Sequence, residues 1–448
     1  MPFTDRYGLA LSTASERAAA LYARGLDHAL AAEAEAEACF RAAREEDPGF
    51  ALAHIAEARL LQFRGRFAEA REAAERAQLA APGASRRERQ HVACIATAVA
   101  GDPQGALARV REHLAEFPRD AFVLSQATGV YGLIGFSGRL ERNEEQLALL
   151  EPLAPAYGDD WWFLSQLAFA YNELFRHEEA QAAVERSLAG NPRNGHAAHT
   201  VAHIAYETGD AAGGGAFLRS WLADYQPAHQ LYVHNHWHLA LFELAEGKVE
   251  AVLERYERVI RPGQATSPAL GTLADAASLL WRLTLTERPA SELPWEEVAE
   301  FAAAAFPRPG TTWADAHCMA AWCAVADERR LIALIGGLRD RAAGGKGYAG
   351  PVLVTLAEGF LAYAHGEWDL AANLFAMAMP EVVRLGGSHA QRELFEDTLI
   401  ASCARAGRLE QARRLLEERL ERRPNGRDMR WAARLAEQVA AQGAAGRV

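Results

Sequence analysis

Seven prolines recur along this chain at nearly constant spacing, and that spacing limits the fold more than any other feature. They are Pro48, Pro82, Pro118, Pro155, Pro192, Pro227 and Pro262, separated by 34, 36, 37, 37, 35 and 35 residues. Proline lacks the backbone N–H that a helix interior needs, so a regular ladder of prolines marks places where helices end. An interval of this length holds two helices of about three to four turns and the connections that join them. A second marker is phased with the first. Gly65, Gly101, Gly366 and Gly407 are each followed five residues later by an alanine: Ala70, Ala106, Ala371 and Ala412. Weaker versions occur around Gly209 and Gly247. Glycine lets the turn between paired helices bend, and alanine lets the pair pack closely.

Composition agrees with this pattern. Half of the 448 residues are hydrophobic, many of them alanine, the best helix former. The expected fold is therefore all-α: a right-handed α-solenoid of tetratricopeptide-repeat-like (TPR-like) helix–turn–helix repeats, whose characteristic period is about 34 residues. One solenoid is expected over residues 1–448. It has regular repeats at about 14–262, divergent helical repeats at about 263–350 and regular repeats again at about 351–435. Within the divergent part, Asp275 to Leu285, Trp295 to Phe306 and Trp313 to Asp327 still read as helices. Gly344 to Gly350 reads as a surface loop, without the GxxxxGK[ST] spacing of a phosphate loop. Gln442 to Val448 reads as a frayed tail.

Charge and cysteine usage exclude several classes of function. The net charge is −12, from 47 basic and 59 acidic residues, which disfavours nonspecific binding to nucleic acid or anionic membranes. Arg405, Arg408, Arg413, Arg414, Arg419, Arg422 and Arg423 crowd the C-terminal helices. Glu410, Glu417, Glu418 and Glu421 are interleaved with them, so the segment reads as a solvated, salt-bridged face. Cys39, Cys94, Cys318, Cys323 and Cys403 are odd in number and scattered, with no CxxC pair, which disfavours a disulfide framework or thiolate zinc site. Met1 to Leu11 is polar and unlike a signal peptide, and no apolar run reaches the length of a membrane span. A cytoplasmic protein is expected. Its basic residues are almost all arginine, as in a GC-rich bacterial genome.

The histidines carry the candidate chemistry. In a stacked-hairpin array the first helix of each pair lines the inner, concave wall. His54, His91, His199, His203, His234, His238 and His317 all fall on such first helices. His199-Thr-Val-Ala-His203 and His234-Asn-His-Trp-His238 are both HxxxH motifs, which put two imidazoles on one helix face. The motifs lie one repeat period apart, so consecutive inner helices can present four imidazoles together. That set suits a divalent transition metal, a metal-free ligand or catalytic pocket, or hydrogen bonding between helices. His196 and His236 lie off these faces and are expected to be exposed.

Other polar residues sit in otherwise apolar helices. Asp275 and Arg282 share a face seven residues apart and read as an ion pair or as ligand-binding groups. Asp315 and His317 are candidates for an acid–imidazole relay, although two residues apart they diverge on a helix. Cys318 points elsewhere, which argues against a Cys–His nucleophile. Gly386-Gly-Ser-His-Ala-Gln-Arg392 reads either as an anion-holding helix start with Arg392 as the clamp, or as a helix capped by Ser388. GxSxG, Rossmann and HExxH signatures are absent.

At these residues the chain resembles the tetratricopeptide repeat protein 38 family. The matching stretches are Leu11-Ser-Thr13, Asp47-Pro-Gly-Phe50 with His54, Arg86-Arg-Glu88 with His91, and the two HxxxH motifs. Farther on come Asp275 to Leu283, Asp315 with His317, and Gly386 to Arg392 with Phe395. They run nearly end to end. The family motif HNxWH corresponds to His234, Asn235, Trp237 and His238, with His236 in its variable place. Glu393 stands where the family loop more often carries Asp. The resemblance implies a TPR-like α-solenoid and supports treating the paired HxxxH motifs as a unit.

Two functional readings follow. In the first, the concave, His-lined groove binds a small molecule, a peptide or a partner protein, and the chain is a candidate homo-oligomer. In the second, an enzyme, metal-dependent or not, acts on a small molecule in a pocket closed by the curled solenoid. Its candidate catalytic residues are His199, His203, His234, His238, Asp315 and His317. Its candidate ligand-binding residues are Asp275, Arg282, Trp237 and Arg392, and its candidate metal ligands are the same four histidines. A divalent transition metal is the candidate cofactor.

Overall fold

The computed structural model describes residues 3–344 and 349–445. Helices and short connections account for nearly all of it. The main helix pairs are Glu16–Leu30 with Glu35–Glu46, Ala51–Phe63 with Phe67–Ala80, Arg86–Val99 with Pro103–Glu116, and Trp161–Asn172 with His177–Gly190. They continue as Gly195–Thr208 with Ala211–Leu222, Tyr232–Ala245 with Val249–Arg255, Thr312–Ala324 with Glu328–Ala343, Pro351–Ala364 with Trp368–Ala378, and His389–Arg405 with Leu409–Arg422. Each of the seven ladder prolines sits between one hairpin and the next. The architecture is an all-α stack of helical hairpins. No helix among the described residues is long and apolar enough to cross a membrane.

One backbone device makes the hairpins. The phased glycines Gly65, Gly101, Gly209, Gly247, Gly366 and Gly407 all have left-handed φ, between 74° and 91°. Each donates its N–H to the carbonyl three residues back, and the next N–H reaches a carbonyl five residues behind it, as in a Schellman cap. The same bonds form at Ala32, Phe175 and Ala326, whose φ values are 63°, 57° and 53°. These three turns repeat the device without glycine and carry left-handed strain of about 1–2 kcal/mol each. After the turn, Ala70, Ala106, Ala180, Ala371 and Ala412 are fully buried, where the second helix presses on the first.

The interval between Pro118 and Pro155 keeps the period with a different interior. Its first helix, Ala121–Ala127, stops early. The chain then winds through Gly129, Gly132, Gly135 and Gly138 before the helix Arg142–Leu150. A Cβ on Gly132 would lie 2.2 Å from the Thr128 carbonyl oxygen, and one on Gly135 would lie 2.5 Å from that of Gly129, so only glycine allows this winding. In the divergent part, the expected helices appear as Ala269–Thr286, Trp295–Ala305 and Thr312–Ala324. The expected loop at 344–350 falls mostly on residues outside those described. The expected fraying from Gln442 does not begin there, because the last helix, Gly426–Ala445, continues through that point.

The chain divides into two compact units. One comprises Met1–Ser137, Glu141–Thr200 and Tyr225–Leu231; the other comprises Gly138–Leu140, Val201–Asp224 and Tyr232–Val448. Within the first unit the chain returns to its own beginning. Ala31 O accepts from Gly195 N at 3.1 Å, and Ala32 O accepts from Tyr225 Oη at 2.9 Å. Within the second, Arg430 caps the Tyr232–Ala245 helix by donating to Ala245 O and Leu244 O, at 3.0 and 2.7 Å.

The second unit also contains an ionic core. Arg419 and Arg427 bond Asp397 and Asp428, and Arg423 bonds Glu393 and Asp428; all of these side chains are buried or nearly so. Arg419 and Arg423 were expected on a solvated face. They pair instead with Glu393, Asp397 and Asp428, inside the protein, where the helix Gly426–Ala445 covers them. All five cysteines are buried thiols. Burial pushes Cys94 up to about 12 and Cys318 higher still, which leaves them protonated and unreactive.

Candidate metal centre

The four histidines of the HxxxH motifs come together. Asn194 fixes the start of the Gly195–Thr208 helix: its Oδ1 accepts from His196 N, and its Nδ2 donates to Ser187 Oγ at 3.1 Å. His199 and His203 follow on one face, separated by one turn. This helix runs unbroken past Thr200, where the two units divide, so helix geometry alone fixes the spacing of the two imidazoles. His234 and His238 occupy the corresponding turn of Tyr232–Ala245. One ring nitrogen from each of the four lies within 4.8 Å of the other three.

The rings are tightly placed. The His203 and His238 centroids are 4.4 Å apart with an interplanar angle of 69°, and those of His234 and His238 are 4.9 Å apart at 79°. His199 stacks on Phe169 at 5.8 Å, and His234 stacks on Trp237 at 5.2 Å. His199, His203 and His238 are buried, whereas the His234 side chain keeps 13% of its surface exposed. His234 is therefore the solvent-facing member.

Asp275 decides which nitrogen His234 presents. Its Oδ1 lies 2.8 Å from His234 Nδ1, so the imidazole carries its proton there and offers the Nε2 lone pair. The expected Asp275–Arg282 ion pair does not form. Arg282 instead donates to Ser278 O and Ala390 O, at 3.1 and 2.6 Å, and faces Asp397 at 3.8 Å. Spacing along one helix suggested the wrong partner, because the real one comes from the neighbouring hairpin. Trp237 is fully buried, donates its indole N–H to Ser278 Oγ at 2.9 Å and lies under the Arg282 guanidinium. It supports the wall behind His234 and His238.

The remaining candidates are engaged elsewhere. Asp315 accepts the Gly310 N–H at 3.0 Å, and burial raises its carboxyl to about 6. His317 donates from Nδ1 to Trp313 O at 2.7 Å, and burial lowers it to about 4. They diverge as their spacing requires and form no relay. Ser388 caps its helix in a reciprocal box with Gln391, and Arg392 donates to the carbonyls of Gly386 and Gly387, so this helix start is closed by its own residues. His196 and His236 are half-buried, against the expectation of exposure. Burial lowers both to about 4, and His236 Nδ1 accepts from Arg255 Nη1 at 2.8 Å.

A second histidine cluster, not anticipated from sequence, lies in the first unit. Asp120 Oδ2 meets Arg87 Nη1 at 2.8 Å, His91 Nδ1 at 2.9 Å and His113 Nε2 at 3.0 Å. Burial alone would raise Asp120. The imidazole N–H groups and the Arg87 guanidinium outweigh it and hold the carboxyl well below its ordinary range. His91, and Arg87 within the stretch Arg86-Arg-Glu88, had been singled out there, but nothing in the chain's periodicity points to His113 or Asp120.

No family model matches the chain. Among solved structures it is similar to yeast Tom70, at 12% identity over 95% of this chain and 96% of that one, with a TM-score of 0.34. It is also similar to the TPR domain of P58(IPK), at 14% identity over 90% and 89%, with a TM-score of 0.24. A third match is the structure of Naa15/Naa10 bound to HypK-THB, at 13% identity over 91% of this chain and 63% of that one, with a TM-score of 0.24. The fold assignment rests on the hairpins and their shared turn.

Proposed function

We propose that this helical-repeat protein binds a divalent transition metal through His199, His203, His234 and His238. The convergence of four ring nitrogens within 4.8 Å supports this reading. Imidazole suits zinc, copper, nickel and iron, and a buried, all-nitrogen set disfavours magnesium and calcium, which take oxygen ligands. Four neutral ligands leave the metal its full charge. Asp275, one imidazole away, offsets part of that charge and holds His234 in the coordinating tautomer. The resemblance to the tetratricopeptide repeat protein 38 family supports treating the two HxxxH motifs as a unit.

The test is elemental analysis of protein purified without a histidine tag or chelator, then incubated separately with zinc, nickel, copper and iron and desalted. About one metal per chain is expected. The His199→Ala/His234→Ala variant should keep its helical circular dichroism and hold none. A wild-type protein that retains no zinc, nickel, copper or iron after incubation overturns the proposal.

A further inference from the structure

Asn235 lies between His234 and Trp237 in the same motif and is fully buried. Neither its Nδ2 nor its Oδ1 has a hydrogen-bond partner in the protein. A buried amide without partners costs about 1–3 kcal/mol, so such a group is rarely kept without a use. Asn235 precedes His238 by three residues. That spacing puts the two side chains on adjoining positions of one helix flank, with Cβ atoms about 5–6 Å apart. Asn235 thus belongs to the same helical turn as His234 and His238, and neither the donor nor the acceptor side of its amide is satisfied.

Zinc–imidazole bonds of about 2.0–2.1 Å place the nitrogens of a tetrahedral set about 3.4 Å apart, and the four ring nitrogens lie close enough together, all within 4.8 Å of one another, to share one ion. Of the four histidines, His234 keeps the most exposed surface, 13% of its side chain, and His199 keeps 7%.

Resting on the metal reading above, we infer that the metal carries an exchangeable oxygen ligand, water or a small carboxylate, hydrogen-bonded by the Asn235 side chain. A metal-bound water donates to Oδ1, and a bound carboxylate accepts from Nδ2; both are small-ligand chemistry at one position. The site is then a binding site with an open coordination position, and its occupants are small oxygen-donor molecules.

The test uses the full chain loaded with cobalt(II), whose visible spectrum reports coordination number and ligand exchange. In anion-free buffer the spectrum is expected to be that of a five-coordinate ion, which identifies water as the resident ligand. Titration with acetate, and separately with azide, should shift the bands saturably. In Asn235→Leu, cobalt stoichiometry should be unchanged while acetate binds about tenfold more weakly, the loss of one hydrogen bond. Asn235→Ala replaces the leucine variant if circular dichroism shows that the latter is misfolded. An intense four-coordinate spectrum insensitive to acetate and azide overturns the inference and leaves the metal site standing. Equal acetate affinity in wild type and variant also overturns it. Failure to take up cobalt overturns both the metal reading and the inference.

Discussion

The two histidine clusters of this protein are built from similar parts and reach opposite electrostatic solutions. In the first unit, His91 and His113 surround the Asp120 carboxylate, with Arg87 completing the set. An anion of the chain sits where the imidazoles converge, and every N–H that reaches it is answered. In the other cluster, His199, His203, His234 and His238 converge on one another, and the carboxylate, Asp275, stands behind His234. The first arrangement compensates its own charge, as buried charge must if it is to be tolerated. The second brings four imidazole nitrogens within 4.8 Å of one another, with a carboxylate bonded to one of them, and is the cluster proposed above as a metal site. On that proposal, the position of the carboxylate separates the structural cluster from the ligand site.

That contrast can be broken most severely at Asp120. Asp120→Ala would leave Arg87 buried with its charge uncompensated, and should cost about 3–5 kcal/mol in chemical denaturation while metal uptake stays unchanged. A cost below about 1 kcal/mol would mean that the carboxylate does not organise its cluster. The ligand-type cluster should respond to metal instead. With free zinc about 100-fold above its dissociation constant, wild type should gain about 2.7 kcal/mol in the same assay, and His203→Ala/His238→Ala should gain nothing.

A finer test separates the orienting role of Asp275 from ligation. Asp275→Asn should lower zinc affinity by about 10–100-fold in competition with a chromophoric chelator, with one metal per chain still bound at saturation. Unchanged affinity would show that His234 finds its tautomer without the carboxylate.

Acid gives the smallest and most graded contrast. Because Asp120 titrates well below 3.8 in the folded protein, its contribution is fully present above that value. It is lost as pH falls through the folded value, when the unfolded chain takes up the proton first. Denaturation between pH 5 and 3 should therefore show a falling stability whose slope is shallower in Asp120→Asn. Equal slopes would contradict the assigned ionisation.

Much of this organisation was legible in the sequence, for definable reasons. The proline ladder and phased glycines report local backbone requirements, which hold wherever the chain lies, and the hairpins follow them. Ala32, Phe175 and Ala326 were missed because they adopt the same left-handed turn without the residue that signals it. The four histidines were legible because their 35-residue offset equals the repeat period, so helix stacking alone brings them together. Asp275 was legible as important, but it was assigned to Arg282, seven residues away, because a partner on another hairpin leaves no trace in local spacing. The same limit hid Asp120 and the buried carboxylates Glu393, Asp397 and Asp428, which acquire meaning only when distant helices meet. Asn235 was visible in the motif, yet its lack of partners is a property of packing.

The most direct test of the proposed metal site is X-ray absorption at the zinc edge on the protein loaded with one equivalent. The account predicts a first shell of nitrogen and oxygen at about 2.0–2.1 Å with the outer-shell scattering of several imidazoles, lost in His199→Ala/His234→Ala. A first shell without imidazole scattering, or a spectrum unchanged in that variant, would place any bound metal elsewhere and leave the four histidines as helix packing.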